Sequence, residues 1–260
     1  MGVVYRAIDG SGRYVALKVM RDDVAAIDPV YSERFRREGM LLASLNHPNV
    51  IPIHGTGEVD GELYIATQLT ESTLKDAIQA GPVAVDDAIA ILAAVASALD
   101  AAHAAGVIHR DIKPANVLMD PGPRVYLTDF GLARDPSGIA LTMPGQVLGT
   151  IDYMAPELLE GVRIGPATDI YALACLAVET LTGTVPYHRD NDAAITYAHV
   201  MDSPPSVSER RRELPAALDD VIAFGMAKRP DERPASAGAL VADMLRALGE
   251  PEPEPVFATG

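Results

Sequence analysis

The sequence predicts an α+β fold with two unlike lobes, a small antiparallel sheet that carries one helix and a larger, mainly helical lobe. Two observations support this prediction. The first seventy residues contain short strand-like segments separated by glycine-containing turns, whereas apolar residues after Thr70 recur at spacings of three and four. We expect the lobes to join near Gln68 to Glu71 and to enclose a cleft, which is where a ligand site is expected.

The small lobe is predicted to contain four strands and one helix. Two strand-like segments, 3–8 and 13–19, flank the sequence DGSG at 9–12, which is typical of a hairpin turn. Residues 32–45 have helical spacing of their apolar side chains. Residues 50–55 and 63–69 supply two more strands around a turn at 59–61.

The second lobe is predicted to consist mainly of helices. Ile89, Leu92, Val95 and Leu99 share one face of a helix, and Gly106 is placed to end it. Further helices are expected at 168–181, 193–200, 216–227 and 236–248. The tail, residues 249–260, begins with alternating proline and glutamate and is predicted to be a linker, because such a sequence cannot pack.

The composition limits the classes of function. A chain of 260 residues with 48% hydrophobic residues can bury a core, and a net charge of −15 argues against binding to nucleic acid or to an anionic membrane. The single cysteine, Cys175, excludes an internal disulfide framework and is expected to be buried in a helix. Because no apolar run reaches the roughly 18 residues of a membrane span, we expect a cytoplasmic chain with no span.

One segment carries most of the chemical information. Residues 109–116 read HRDIKPAN, and a DFG run begins at Asp129, thirteen residues after Asn116. This spacing supplies a carboxylate base at Asp111, a cation at Lys113, and oxygen ligands for a divalent metal at Asn116 and Asp129. Those are the groups that phosphoryl transfer from ATP requires. A polar loop with solvated charges is the alternative, and it leaves both motifs unexplained.

Two further motifs complete a family pattern. The strand that ends near Lys18 reads VALK, and residues 155–157 read APE. Together, the four motifs resemble the eukaryotic-like (Hanks-type) serine/threonine protein kinases of bacteria. The resemblance covers the chain from Met1 to about Leu248. It implies a catalytic domain over 1–248, with an N-lobe at 1–69 and a C-lobe at 70–248.

The resemblance also implies an activity and its partners. The chain would transfer the γ-phosphate of ATP to Ser and Thr hydroxyls of proteins, with Mg²⁺ or Mn²⁺, and would autophosphorylate; a homodimer that phosphorylates itself in trans is compatible with this. Asp111 would accept the hydroxyl proton, and Lys113 would steady the γ-phosphate. Lys18 would contact the α- and β-phosphates and pair with a glutamate of the following helix, for which Glu38 is preferred to Glu33.

The resemblance further assigns a pocket for the adenine ring. Apolar side chains would enclose the ring, a gatekeeper would stand at its rear, and the backbone of the joining segment would bind its edge. The apolar side chains are Val4, Ala16 and Leu118, and the gatekeeper is Thr67. The backbone is that of Gln68, Leu69 and Thr70.

Control would depend on the segment between the DFG and APE motifs. Arg110 would bind a phosphate on this segment, and Thr142 matches a common autophosphorylation position. An ordinary polar loop residue is the alternative for Thr142. Thr150 would hydrogen-bond Asp111 and Lys113 beside the substrate.

Three residues would be structural. Glu157 would pair with Arg233 to anchor the substrate-binding floor, and Asp169 would brace the backbone of the catalytic loop. The basic run at 210–212 is expected to be a solvated face, with docking of acidic partners as its alternative.

The glycine-rich loop of the family is incomplete. Only Gly2, Val3 and Val4 correspond to the end of its G-x-G-x-x-G-x-V pattern, so the resemblance is to a kinase truncated within that loop. Either a start codon assigned too far downstream or a shortened kinase would explain this; a true start at Met1 predicts weak ATP binding. A pseudokinase scaffold and a small-molecule kinase of the aminoglycoside phosphotransferase kind are the alternative functions, although the latter lack the Gly-Thr and APE floor.

Overall fold

The computed structural model describes residues 3–19, 45–59, 62–120, 124–130, 151–162 and 164–249. In this part of the chain the first lobe contains an antiparallel sheet with strand order β1-β2-β4-β3. Its strands are β1 (Val3–Ile8), β2 (Tyr14–Val19), β3 (Ile53–Val59) and β4 (Glu62–Gln68). The predicted helix at 32–45 lies outside the described residues.

The predicted hairpin between β1 and β2 is confirmed. Ile8 pairs with Tyr14, and the turn is closed by the N–H of Gly12, which donates to Asp9 O at 2.9 Å. Gly12 has φ +85°, a conformation that glycine adopts without the steric penalty of a Cβ atom. The Asp9 carboxylate accepts from the N–H of Ser11 and that of Arg13, so the turn sequence supplies its own hydrogen bonds.

The strand predicted at 50–55 is displaced toward the C-terminus, since β3 begins only at Ile53. The preceding residues pair elsewhere: the N–H of Ile51 donates to Leu127 O at 3.1 Å, and the N–H of Leu127 donates to Asn49 O at 2.8 Å. Val50 and Leu127 form an isolated parallel bridge. The apolar segment therefore joins the two lobes before it enters the sheet.

The second lobe is mainly helical, as predicted, and the four helices predicted with bounds differ from the observed ones by at most two residues at either end. The helices are α1 (Leu74–Ala80), α2 (Val85–Ala104), α3 (Pro156–Leu159), α4 (Pro166–Thr182), α5 (Asp192–Met201), α6 (Val207–Arg210), α7 (Ala217–Gly225) and α8 (Ala237–Leu248). Every residue of α4 from Thr168 to Val178 is buried, so α4 is the centre of the lobe. Cys175 is fully buried there, as expected, and burial raises the pKa of its thiol.

A small sheet under the cleft was not predicted. In the described residues it has the strand order β5-β6-β7, with β5 (Ser72–Thr73), β6 (Val117–Met119) and β7 (Val125–Leu127). A 3₁₀ turn at Pro114–Asn116 leads directly into β6. Of the described helices, none combines the length and apolar character that a bilayer crossing needs.

Candidate active site

The catalytic loop brings three of the predicted residues into direct contact. Lys113 Nζ lies 2.8 Å from Asp111 Oδ2. Asn116 Nδ2 donates to the backbone O of Asp111 at 2.7 Å and to its Oδ2 at 3.1 Å. The 3₁₀ turn at Pro114–Asn116 produces this arrangement, because it folds Asn116 back toward Asp111. The carboxylate is thus oriented by an amide and an ammonium group.

Asp169 holds the backbone of the same loop. Its fully buried carboxylate, near the start of α4, accepts from the N–H of His109 and that of Arg110, each at 2.8 Å, and contacts His103 Nε2 at 2.8 Å. Arg110 has φ +63°, which costs energy for a residue with a Cβ atom. The two bonds to Asp169 stabilise that conformation, so its position agrees with the predicted bracing role.

His109 connects the loop to the DFG segment. The N–H of Asp111 donates to His109 Nδ1 at 3.2 Å, and His109 Nε2 lies 2.9 Å from Thr128 O. Complete burial lowers the pKa of His109, which keeps the ring neutral and lets Nε2–H donate while Nδ1 accepts. The ring centroid is 4.6 Å from that of Phe130. His109 therefore fixes the separation of Asp111 and Asp129.

Asp129 and Lys18 connect the lobes. Lys18 Nζ in β2 lies 2.7 Å from Asp129 Oδ1, and both side chains are about one-third exposed, at 31% and 38%. Asp129 has φ +58°, a left-handed conformation that turns the chain immediately after Thr128. The VALK strand and the DFG motif, 111 residues apart, thus meet at one end of the cleft.

The cleft between the lobes has a volume of about 280 Å³. Its lining is mostly apolar and includes all the predicted adenine-pocket residues; it consists of Val4, Ala16, Lys18, Val50, Ile51, Ile53, Ile65, Thr67, Gln68, Leu69, Thr70, Ala115, Leu118, Thr128, Asp129 and Phe130. The N–H of Gln68 donates to Pro52 O at 3.0 Å. A backbone N–H donor to a ligand must therefore come from Leu69 or Thr70. An apolar slot with charged groups at one end suits a base joined to phosphates.

The sequence is similar to known proteins along nearly its whole length. Residues 1–245 match the family described as the protein kinase domain. The chain belongs to the protein kinase family.

Its relatives include named serine/threonine kinases of mycobacteria. PknH of Mycobacterium bovis is 42% identical over 255 residues, which are 97% of this chain and 43% of that protein. PknD of Mycobacterium tuberculosis is 43% identical over 244 residues, which are 92% of this chain and 37% of that protein. This chain thus spans less than half the length of these curated relatives.

A solved kinase domain has the same fold. The crystal structure of a mutant of the Mycobacterium tuberculosis PknI kinase domain is 33% identical in sequence and superposes with a TM-score of 0.76. The match covers 95% of this chain and 90% of that chain. The predicted α+β, bilobal, protein-kinase-like fold is therefore confirmed.

Members of the protein kinase family use ATP and divalent metal ions, and the donor atoms here fit such an ion. Asn116 makes both of its bonds to Asp111 through Nδ2, so its amide oxygen is left to bind a cation. Asp129 binds Lys18 through Oδ1 and retains Oδ2. An amide oxygen and a carboxylate oxygen are the ligand types that Mg²⁺ prefers.

Glu157 and Arg233 form a buried, two-pronged ion pair. Arg233 Nη1 lies 2.7 Å from Glu157 Oε1, and Nη2 lies 2.8 Å from Oε2. Thr168 Oγ1 also donates to Glu157 Oε1, and the guanidinium stands 4.9 Å from the centre of the Tyr171 ring. The pair ties α3, which carries the APE motif, to the turn before α8 and agrees with the predicted structural role.

Arg210 and Arg211 of the basic run at 210–212 correct the expectation of a solvated face, whereas Arg212 is exposed as expected. Arg210 donates to the backbone O of Val185 at 3.0 Å and to that of Pro186 at 2.7 Å, and Arg211 donates to Val83 O and Leu181 O. These side chains bind carbonyl groups that end or follow α4, and the carbonyl of Val83, which lies just before α2. They are structural, because their hydrogen-bond donors are used within the lobe rather than presented to a partner.

Some predicted residues cannot be placed and some partners were missed. Glu38, Thr142 and Thr150 lie outside the described residues. Sequence reasoning did not find His103 as a partner of Asp169, because nothing in its spacing indicates a contact with a carboxylate 66 residues away. It also missed the bond from Gln68 Nε2 to Asp120 Oδ2, at 2.9 Å.

Proposed function

We propose that the chain is an ATP-dependent protein serine/threonine kinase, with residues 1–248 as its catalytic domain and 249–260 as a linker tail. One observation carries the proposal. Lys18 meets Asp129 at 2.7 Å at the polar end of the apolar cleft, and the catalytic loop, in which Lys113 and Asn116 contact Asp111, reaches the same cleft through Ala115. Phosphoryl transfer needs positioning and charge neutralisation, which this set of groups can supply.

Asp111 is the proposed acceptor of the substrate proton. A Ser or Thr hydroxyl that donates to this carboxylate is aimed at the γ-phosphorus; its oxygen forms the new P–O bond as the bond to the leaving β-phosphate oxygen breaks. Asn116 Nδ2 keeps the carboxylate in place by donating to Oδ2 at 3.1 Å. Lys113, at 2.8 Å from the same oxygen, is near enough to neutralise charge on the transferred group.

The phosphates would be bound by charge from both lobes. Lys18 is the proposed ligand of the α- and β-phosphates, and it can exchange its present bond with Asp129 for one with a phosphate and with Glu38. Asn116 and Asp129 would hold Mg²⁺, or Mn²⁺ in its place. When bound, the ion neutralises charge that develops on the phosphate oxygens.

The base would lie in the apolar part of the cleft. Val4 and Ala16 from the sheet, and Leu118 from β6, line it and would enclose the ring. Thr67 also lines the cleft and would be the gatekeeper, and Leu69 and Thr70 would bind the edge of the adenine through their backbone. An inactive scaffold is not favoured, because the chain retains the proposed proton acceptor, the two lysines and the oxygens proposed as metal ligands.

Regulation is proposed through the segment that joins DFG to APE. Thr142 would be autophosphorylated, in trans if two copies meet, and Arg110 would bind the resulting phosphate. Thr150 would lie beside Asp111 and guide the substrate. Proteins of the cytoplasm that carry Ser or Thr would be the substrates.

Mass spectrometry of the products tests this function. The chain is incubated with ATP, Mg²⁺ and a mixture of unphosphorylated proteins, with a second sample that contains a chelator. We expect phosphoserine and phosphothreonine on the added proteins, phosphothreonine at Thr142 of the chain, and neither in the chelated sample. Phosphate only on tyrosine, or only on small molecules, would contradict the proposal.

A further inference from the structure

The segment that joins the lobes is fastened at its first residue. Gln68, the last residue of β4, directs its side chain to the second lobe, where Nε2 donates to Asp120 Oδ2 at 2.9 Å. Asp120 directly follows β6, whose Leu118 lines the cleft. The contact is partly buried and its acceptor is a carboxylate, which makes it stronger than a bond between neutral groups.

The same segment is fastened at its other end to the same strand. Ser72 and Thr73 form β5, which pairs with Met119 and Leu118 of β6. Ser72 Oγ also donates to Met119 O at 3.4 Å. Residues 69–71 thus lie between two anchors, and both anchors are neighbouring residues at the end of β6.

This double attachment fixes the segment to the lobe that carries the catalytic loop. β6 follows the 3₁₀ turn that contains Asn116, so about three residues separate the metal-ligand position from the anchors. Because Gln68 is also paired with Val15 in the sheet, a sheet that shifts relative to the helical lobe must pivot at this residue, and residues 69–70 stay with the helical lobe. Hinge motions are absorbed at a few element ends, and the bond to Asp120 restrains one such end.

We propose that Asp120 is a positioning residue for the nucleotide base, acting through the side chain of Gln68. The inference rests on the proposed function, since it takes residues 68–70 as the edge that reads adenine. Asp120 itself is not among the residues that line the cleft. Its carboxylate holds the end of β4 so that the backbone of Leu69 and Thr70 meets the base at a fixed distance from the phosphate site.

The role of Asp120 is tested with two ligands, one for the proposed base site and one for the proposed phosphate site. Adenosine reports the base site, and Mg²⁺-tripolyphosphate reports the phosphate site; their dissociation constants are measured by calorimetry. The variants are Asp120→Ala, Asp120→Asn, Gln68→Glu and the double variant Gln68→Glu with Asp120→Asn. Asp243→Ala, which removes an exposed ion pair with Arg246 on α8, is the matched control.

Each variant has a distinct expected result. Asp120→Ala should weaken adenosine binding about fivefold, a part of the free energy of a charge-assisted bond, and leave tripolyphosphate unchanged. Asp120→Asn retains an acceptor and should stay within about twofold of the unmodified chain. Gln68→Glu places two carboxylates together and should weaken adenosine more than Asp120→Ala does. The double variant should recover most of that loss, because the asparagine amide can donate to the new glutamate.

Other outcomes overturn the inference. Unchanged adenosine binding in Asp120→Ala would overturn it. An equal loss of affinity for both ligands, together with a lower melting temperature, would also overturn it, because Asp120 would then only stabilise the fold. A double variant that does not regain adenosine affinity would overturn the inference as well. Adenosine binding that follows the expected pattern, in a chain that transfers no phosphate, would instead contradict the proposed function and keep the inference.

Discussion

Two buried carboxylates, Glu157 and Asp169, each accept several specific hydrogen bonds. Glu157 has a bidentate arginine and a threonine hydroxyl, and Asp169 has two backbone N–H groups and a histidine nitrogen. Removing a partner of such a carboxylate strongly destabilises the fold, because the charge that remains is buried and cannot be solvated. The geometry around the catalytic loop therefore depends on residues that never touch a substrate.

Removing Arg233 should show this dependence. Arg233→Met leaves Glu157 charged and buried, and we expect the free energy of unfolding to fall by about 3–5 kcal/mol. Denaturant titration followed by circular dichroism measures the loss. Arg229→Ala is the control: Arg229 pairs with Asp231 at 2.8 Å with both side chains about two-thirds exposed, and its loss should cost far less than the loss of Arg233, because solvent screens an exposed pair. Equal losses for both variants would contradict the account.

At the scale of elements, α7 approaches α4 and α8 closely at one glycine. A Cβ atom on Gly225 would lie 2.8 Å from the Cβ of Ala174 in α4 and 2.9 Å from Leu240 Cδ1 in α8. Neither neighbour is the free end of a long side chain on the surface, as both residues are fully buried. The absence of a side chain at 225 is therefore what lets the three helices pack.

Gly225→Ala should disrupt this packing although alanine favours helix. We expect the free energy of unfolding to fall by about 1–3 kcal/mol, the usual cost of overpacking a core. The comparison is Gly10→Ala in the hairpin turn, where an added Cβ meets no atom within 4 Å. Thermal unfolding of both variants distinguishes the cases, and a Gly225→Ala protein as stable as the unmodified chain would refute the packing argument.

Elements with a long periodic pattern were predictable from the sequence, and short ones were not. The helix that became α2 has apolar residues on one face over several turns, so its existence was clear. The strands β5 and β6 have only two and three residues, too few for any period to appear. The strand predicted at 50–55 was displaced because Val50 and Ile51 pair with Leu127, and local sequence carries no information about that partner.

The catalytic motifs of the candidate site were predictable from the sequence, but the contacts of the residues around them were not. Asp111, Asn116 and Asp129 were identified from spacing, because phosphoryl transfer constrains these residue types and their order. The bond between Gln68 and Asp120 joins ordinary polar residues 52 positions apart, and no motif contains them. Arg210 and Arg211 appeared as a surface run because their acceptors are backbone carbonyls, which every residue has.

At the scale of the whole molecule, the acid stability of the fold depends on buried histidines. Burial, together with the nearby Lys228, lowers the pKa of His199 to about 4 from an ordinary value of 6.5. His199, on α5, is fully buried against the rings of Tyr171 and Tyr187, and its Nδ1 lies 2.9 Å from the hydroxyl of Tyr171. The folded chain keeps the ring neutral, whereas the unfolded chain protonates it below pH 6.5.

Stability should therefore fall as the pH falls from 6.5 to 4. The pKa difference corresponds to about 3 kcal/mol from His199. His199→Asn retains an oxygen that can accept from Tyr171 but cannot be protonated, so its free energy of unfolding should decline less over this range. His109, whose pKa is lowered in the same direction, preserves part of the slope in both proteins. Parallel pH curves for the two proteins would contradict the assignment.

The central claim is that Asp111 accepts the hydroxyl proton in a cleft built to bind a nucleotide. Asp111→Asn tests it most directly, with transfer of labelled γ-phosphate from ATP and the dissociation constant of Mg²⁺-ADP measured on the same preparation, and Asp243→Asn as control. We expect transfer to fall by at least about 100-fold while ADP affinity stays within about threefold. An Asp111→Asn protein that retains more than about a tenth of the transfer rate would contradict the account.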